Sequence, residues 1–283
     1  MNNIKNNTSH QVDSFSIYDI LYFNTHNEKY NIYSNVLREW KTKIGQGNEE
    51  QRDVAVARIM DCLQRESYEI DLSDLNLSSL PDLPIFLKSL NASSNQLTTL
   101  PKLPALESLN ISSNKLTSLP KLPNSLCSLN VSSNELTTLP ELPYNLRSID
   151  ISSNQLTKLP KLPSVLHYLD TSSNRIIELP KLPVCGGLFY LNVRMNELRK
   201  LPELPFTLKF INISNNKITR LPNKLPVFLK CIDVSSNELT YLPQLPDGLR
   251  HINISGNSFI SIPELPDSVQ SNIIDDTYYQ RYK

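Results

Sequence analysis

The residue types that could perform catalysis are scattered along this 283-residue chain. Its four histidines, His10, His26, His167 and His251, lie far apart in the sequence, so they are not expected to share a metal ion. The chain contains no glycine-rich phosphate loop, no paired-cysteine metal motif and no nucleophile elbow. We therefore predict no catalytic residues, no metal site and no cofactor.

The cysteines also lack a pattern that suggests chemistry. Cys62, Cys127, Cys185 and Cys231 form no close pair, which favours reduced thiols, as in a cytosol. Lysine plus arginine and aspartate plus glutamate each total 28, so the bulk charge does not indicate nucleic acid or an anionic membrane as a partner. The chain also lacks an apolar run that could cross a membrane, so we expect no membrane insertion.

Three carboxylates, those of Asp150, Asp170 and Asp233, occupy one position of a repeated motif in which most other copies carry asparagine. They belong to a polar stripe with few positive groups. A hydrolytic pair of carboxylates is a weak interpretation of this stripe, and a partner-binding role is the stronger one.

The motif that positions these side chains is a leucine-rich repeat. Each copy opens with Leu-x-x-Leu-x-Leu, whose alternation predicts a short strand with its leucines on one face. A period of about twenty residues is at the short end for this repeat class. The asparagine that follows the strand should bond the turns of neighbouring copies. It occurs as Asn95, Asn114, Asn134, Asn154, Asn174, Asn196, Asn216, Asn237 and Asn257.

All 20 prolines lie in the second half of the repeat, as ten Leu-Pro-x-Leu-Pro pairs. Proline removes a backbone donor and disfavours helix in the residue before it. The sequence therefore predicts a horseshoe-shaped solenoid, with parallel strands on the concave face and an extended, polyproline-like convex face.

The concave face is where the repeats differ most. The residue before the second strand leucine is serine in the first four regular copies and becomes bulky afterwards, as Tyr168, Tyr190, Phe210, Cys231 and His251. We interpret Tyr168, Tyr190, Phe210 and His251 as exposed anchors for a partner protein, together with Arg194 and the three carboxylates. The alternative is that the rings only pack against neighbours such as Arg194 or Arg250. If they are exposed, their replacement by serine should cost little stability.

Four segments follow from these patterns. Residues 1–29 should be disordered, 30–66 should form a helical hairpin that caps the array, 67–268 should be repeats, and 269–283 should form a C-terminal cap and tail. In the hairpin, a helix from Tyr30 to Ile44 should bury Trp40, and a capping box from Asn48 to Gln51 should start a second helix that ends near Arg65.

The hairpin and repeats together resemble the YopM and IpaH type III secreted effectors of Gram-negative pathogens, over roughly residues 30–268. The resemblance is carried by Leu37-Arg-Glu-Trp40, by the stretch from Glu50 to Leu63, by the repeat entry from Leu77 to Pro84, and by the recurring Leu-Pro-x-Leu-Pro. It implies an uncleaved secretion signal in the N-terminal segment, delivery to the host cytoplasm or nucleus, and binding of host proteins such as a kinase or an immune-signalling component.

The resemblance has two branches. IpaH-like members add a helical ubiquitin-ligase domain with a catalytic cysteine, whereas YopM-like members end after the repeats. Nothing after about Val269 could form that domain and no cysteine follows Cys231, so we expect a non-enzymatic, YopM-like binding protein. A truncated ligase is the alternative, and a structural protein of the bacterial surface is a third possibility. The oligomeric state stays open.

Overall fold

The computed structural model describes four stretches of the chain, which are residues 26–43, 50–184, 187–261 and 265–269. Within them, two helices precede the repeats: α1 spans His26–Thr42 and α2 spans Arg52–Arg65. Neither is long and apolar enough to cross a membrane.

Ten strands of three residues each follow the helices in the described ranges. They form one parallel sheet in chain order, in which every strand pairs with the next. The predicted leucine-rich-repeat solenoid is thereby confirmed. The strands are β1 Glu69–Asp71, β2 Ser89–Asn91, β3 Ser108–Asn110, β4 Ser128–Asn130, β5 Ser148–Asp150, β6 Tyr168–Asp170, β7 Tyr190–Asn192, β8 Phe210–Asn212, β9 Cys231–Asp233 and β10 His251–Asn253.

The alternation of the motif produces this sheet. In β4, Leu129 is buried in the core while Ser128 and Asn130 on either side face the concave surface and are half-buried. Leu126, three residues before Leu129, is also buried, so each copy contributes a column of aliphatic side chains. The part of each described repeat between its asparagine and the next strand contains no helix, in agreement with the proline pattern.

The asparagine row links the copies as the motif predicts. Asn154 is 8% exposed, and its Oδ1 accepts a hydrogen bond from the Leu136 amide at 3.0 Å. Its Nδ2 donates to the carbonyl oxygens of Val131 at 3.0 Å, Ile151 at 3.2 Å and Ser152 at 3.1 Å. One amide therefore satisfies backbone groups of two adjacent repeats in a region that excludes water.

The helical cap differs from the expectation in its boundaries. Helix α1 begins at His26, ahead of the predicted start at Tyr30, and ends at Thr42 rather than Ile44. Helix α2 begins at Arg52, with Gln51 as an N-cap whose side chain makes no capping bond, so this helix starts later than the capping box predicted from Asn48 requires. The backbone explains the change, because the Gln51 amide donates to the Leu75 carbonyl at 2.9 Å and so ties this turn to the first repeat.

Trp40 is buried in the main core, as predicted for the cap. Two copies are longer than the others, by insertions at 184–187 and at 223–224. The sheet is continuous past both, because β7 still pairs with β6 and β9 with β8. Asn223 and Lys224 in the second insertion are exposed. The predicted N-terminal disordered segment up to residue 25, most of the C-terminal tail, the capping-box residue Asn48 and Cys185 all lie outside the described residues.

Candidate functional site

The concave face consists of two parallel rows, formed by the first and third residues of the strands. The sheet register places Ser148, Tyr168, Tyr190 and Phe210 side by side on successive strands. The third residues form the neighbouring row, in which Asp150, Asp170 and Asn192 are adjacent in the same way. The structure thus brings most of the sequence-predicted site residues together on one surface.

The aromatic row is not exposed, which corrects the sequence-based interpretation. Tyr168 is 8% exposed, Tyr190 1% and Phe210 5%, and with Cys231 they form an apolar cluster separate from the leucine core. The rings point away from the core, as expected, but strands about 5 Å apart let each ring cover the next. The Tyr168 and Tyr190 rings stack with their centroids 4.4 Å apart.

Asp170 lies in the middle of the polar row and is only 2% exposed. Its Oδ1 accepts from the Ser172 amide at 2.9 Å and the Ser172 hydroxyl at 2.7 Å, and its Oδ2 accepts from Asn192 Nδ2 at 3.0 Å. Burial, and after it the negative charge of Asp150, raises the pKa of this carboxyl. Because its oxygens are already bonded and covered, Asp170 supports the surface and is not a contact residue.

The other predicted contact residues have different degrees of access. Asp233 is 7% exposed and its carboxylate accepts from the Ser235 hydroxyl at 2.6 Å, so it is also structural. Asp150, Arg194 and His251 are half-buried, and each leaves part of its side chain at the surface. Arg194 stands where most repeats carry serine, and its amide donates to Asn192 Oδ1 at 3.1 Å.

Burial is the main cause of the pKa shifts of three further side chains on the concave face. Burial raises the pKa of the Tyr168 and Tyr190 phenols, and the Asp170 charge raises both further, so neither phenol ionises near neutral pH. Burial and the adjacent Arg250 lower the pKa of His251. The part of the chain that the structure describes has no cluster of three or more histidine, cysteine, aspartate or glutamate side chains that could hold a metal ion.

The described cysteines are free thiols. Cys231 is fully buried in the aromatic cluster. Burial, and secondarily the charge of Asp61, raises the pKa of Cys62 to about 11, so this thiol is a poor nucleophile at neutral pH. Its Sγ donates to the Ser67 carbonyl at 3.0 Å.

Sequence reasoning missed a basic groove on the lateral surface, formed around Arg199, Lys200 and Arg220. The sequence does show the change that creates this groove. The corresponding positions of the early copies hold threonine or serine, as in Thr98 and Thr99, and later copies carry basic residues there.

Comparison with known proteins agrees with this architecture. Residues 85–124 match a family of leucine-rich repeats in two copies, and residues 145–166 match a single leucine-rich repeat. The solved structure of YopM, a leucine-rich effector protein from Yersinia pestis, superimposes with a TM-score of 0.80 at 40% identity. The superposition covers 88% of this chain and 72% of that one. The chain belongs to the YopM family of leucine-rich-repeat effectors.

Shorter stretches of the chain are similar in sequence to YopM and to an E3 ubiquitin-protein ligase. A segment of 66 residues, or 23% of this chain, is 52% identical to the outer membrane protein YopM of Yersinia pestis and covers 16% of it. A segment of 93 residues, or 32% of this chain, is 43% identical to the E3 ubiquitin-protein ligase ipaH9.8 of Shigella flexneri and covers 17% of it. These matches thus span about a sixth of either relative.

Proposed function

We propose that this YopM-family protein is a translocated bacterial virulence effector that binds host proteins through its repeats, as a non-catalytic scaffold or inhibitor. The observation that carries the proposal is the similarity of nearly the whole solenoid to a protein described as a leucine-rich effector. A kinase or an immune-signalling component of the host is the class of partner we favour.

The concave face is the surface that we assign to the partner. Its stacked rings are buried and already ordered before a partner binds. Less side-chain entropy is therefore lost on association. The half-buried Asp150, Arg194 and His251 at the surface then supply the polar contacts. In this arrangement the aromatic rings do not protrude as anchors. They form an ordered apolar surface, and the polar side chains around it make the contacts.

A pull-down from host-cell lysate tests this assignment. The full-length protein serves as bait, and bound proteins are identified by mass spectrometry. The Arg194→Ser and His251→Ser double variant introduces the serine used at equivalent positions of earlier repeats, so it should fold normally. We expect this variant to capture at least about tenfold less of the main partner than the unmodified protein does. A matched Lys121→Thr variant on the convex side should retain the partner, and equal capture by both variants would move the site off the concave face.

The alternative is that the repeats are the substrate-recognition half of an IpaH-like E3 ubiquitin ligase, a reading that the match to ipaH9.8 favours. Incubation with ubiquitin, activating enzyme and a panel of conjugating enzymes tests whether this chain has ligase activity of its own. We expect no ubiquitin chains. Chain formation that depends on a cysteine of this protein would support the ligase instead.

Export through a type III secretion system is the second part of the proposal. Removal of residues 2–25, which precede α1, should abolish delivery of a reporter fusion into host cells. The melting temperature of the purified variant should stay nearly unchanged, because both helices of the cap and all the strands in the described part of the chain lie after this segment. Normal delivery of the shortened protein would show that the signal lies elsewhere.

A further inference from the structure

A shallow groove lies on the lateral surface, outside the concave face. It is lined by Ile177, Glu178, Arg199, Lys200, Thr219 and Arg220. These residues are the third and fourth after the buried Asn174, Asn196 and Asn216, so three consecutive repeats contribute the same two positions.

The solenoid itself does not require these side chains. The same two positions are occupied by small hydroxyl residues in the early repeats, for example Thr117 and Ser118, or Thr137 and Thr138. Those repeats have the same strand pairing and the same asparagine bonds as the later ones. The change to large charged and apolar side chains is therefore confined to the surface.

The positive charges of the groove are not neutralised within the described part of the chain. Arg199, Lys200 and Arg220 are exposed, and their side chains take part in none of its salt bridges. Nearby, by contrast, Lys217 pairs with Glu197 at 3.1 Å. The groove thus presents three cations and one carboxylate to solvent.

An apolar contact lies at one end of this charged surface. Ile177 is 59% exposed, although it follows the fully buried Ile176. Along the stack, the first repeat therefore contributes an apolar residue and a carboxylate, the next contributes two cations, and the third contributes one cation beside Thr219. Neighbouring repeats are about 5 Å apart at the strands, and alternate side chains of an extended peptide are about 6.6 Å apart.

We propose that this groove binds an extended acidic segment of a partner protein. One apolar side chain of the segment packs on Ile177, and the carboxylates that follow at alternate positions pair with Arg199, Lys200 and Arg220. Guanidinium groups suit this role because they can bind carboxylates through two parallel hydrogen bonds. The proposal concerns a different surface from the concave face and stands independently of the function assigned there.

A protein segment fits this groove better than nucleic acid does. The chain has no overall positive charge, so the long-range attraction that drives phosphate-backbone binding is missing. The exposed Ile177 offers nothing to a phosphodiester, and Glu178 repels one. An acidic peptide can place its apolar residue at Ile177 and its first carboxylate beyond Glu178.

Fluorescence anisotropy with a synthetic probe tests the proposal. The probe is a fluorescein-labelled peptide of sequence Gly-Leu-Gly-Glu-Gly-Glu-Gly-Glu, titrated with the full-length protein. We expect saturable binding that weakens when NaCl is raised from about 0.05 M to about 0.5 M. The Arg199→Thr and Arg220→Thr double variant introduces the threonine that early repeats carry at both positions, and it should bind the probe at least about fivefold more weakly.

Matched controls make the result decisive. The Lys121→Thr and Lys161→Thr double variant removes the same number of exposed charges elsewhere on the solenoid and should bind like the unmodified protein. A probe with glutamine in place of glutamate should bind as weakly as the groove variant does. Equal binding by both double variants would overturn the proposal. Tighter binding of a labelled oligonucleotide than of the peptide, lost in the groove variant, would overturn it in favour of a nucleic-acid site.

Discussion

The rings of Tyr168 and Tyr190 lie nearly parallel on adjacent strands, with their centroids 4.4 Å apart and their planes inclined by 9°. Phe210 and Cys231 continue this cluster over the next two strands. The cluster closes the concave side of the later repeats, where serines leave the earlier repeats more open. It therefore contributes to stability as well as to the shape of the face.

Replacing Tyr190 with serine should lower the free energy of unfolding by about 3 kcal/mol, because a large buried side chain is removed from a packed cluster. Urea denaturation followed by circular dichroism measures the change. Tyr144 provides the control, since it is 67% exposed and its replacement by serine should change stability by less than about 0.5 kcal/mol. Similar costs for both variants would mean that the stacked rings do not act as a second core.

Replacing an asparagine of the row with alanine should reduce stability far more in the middle of the array than at its end. Asn154→Ala removes one acceptor and one donor group from buried backbone atoms and should cost about 2 to 4 kcal/mol. Asn257 makes the same bonds but is only half-buried, so water can replace part of its role. Thermal denaturation of the two alanine variants should therefore rank Asn154 as the costlier site, and the reverse order would contradict this account.

The raised pKa of Asp170 gives a prediction with a definite sign. The folded state binds this proton more tightly than the unfolded chain, whose aspartate pKa is about 3.9. Asp170 therefore contributes stability at acid pH, and the contribution is lost as pH rises through the raised pKa. The stability of Asp170→Asn relative to the unmodified protein should increase as pH rises from the unfolded aspartate pKa of about 3.9 through the raised pKa of Asp170. A pH-independent difference would show that the carboxyl is not perturbed.

Asp71 is also the third residue of its strand, but its pKa is lowered where that of Asp170 is raised. Hydrogen bonds from the hydroxyl and then the amide of Ser73 lower its pKa, despite some burial, and Arg58 lowers it further. Its contribution to stability is therefore present at neutral pH and lost as pH falls through the lowered pKa. Asp71→Asn should be slightly less stable than the unmodified protein at neutral pH and equal to it in strong acid. Urea titrations at several pH values compare both aspartate variants directly.

The fold could be predicted because the repeat specifies it at several levels at once. Leucine alternation, the asparagine turn and the proline pairs all indicate the same extended repeat, and a copy such as residues 126–143 contains every signal. Helix boundaries were less predictable. The start of α2 depends on the bond from the Gln51 amide to the Leu75 carbonyl, a tertiary contact that no local motif contains.

The burial of the concave aromatics could not be derived from alternation alone. Alternation places Tyr168 outside the leucine core, which is correct, but its exposure depends on what occupies the same position of the next strand. The sequence does contain that information, because Tyr190 and Phe210 follow at the same position. Bulky residues on adjacent parallel strands cover one another, whereas His251, on the last described strand, is covered from the Cys231 side only and stays partly open.

A buried arginine in the cap leads to the last prediction. Arg52 is 4% exposed, its Nε donates to Glu50 at 2.6 Å, and its Nη2 donates to the Ser79 hydroxyl at 3.0 Å. Its guanidinium also lies 4.4 Å from the centre of the Trp40 ring and donates to the Trp40 carbonyl. This one side chain therefore joins both helices to the first repeat.

Arg52→Met should lower the free energy of unfolding by about 3 kcal/mol, because the methionine leaves the buried Glu50 carboxylate without its cation. Addition of Glu50→Gln should recover part of the loss, since the uncompensated charge is then gone. A double-mutant cycle in urea gives the coupling, which we expect to exceed about 1 kcal/mol. Arg58→Met is the control, because Arg58 is exposed and its replacement should cost less than about 1 kcal/mol. Additive effects of the Glu50 and Arg52 substitutions would show that the cap is held by its apolar contacts alone.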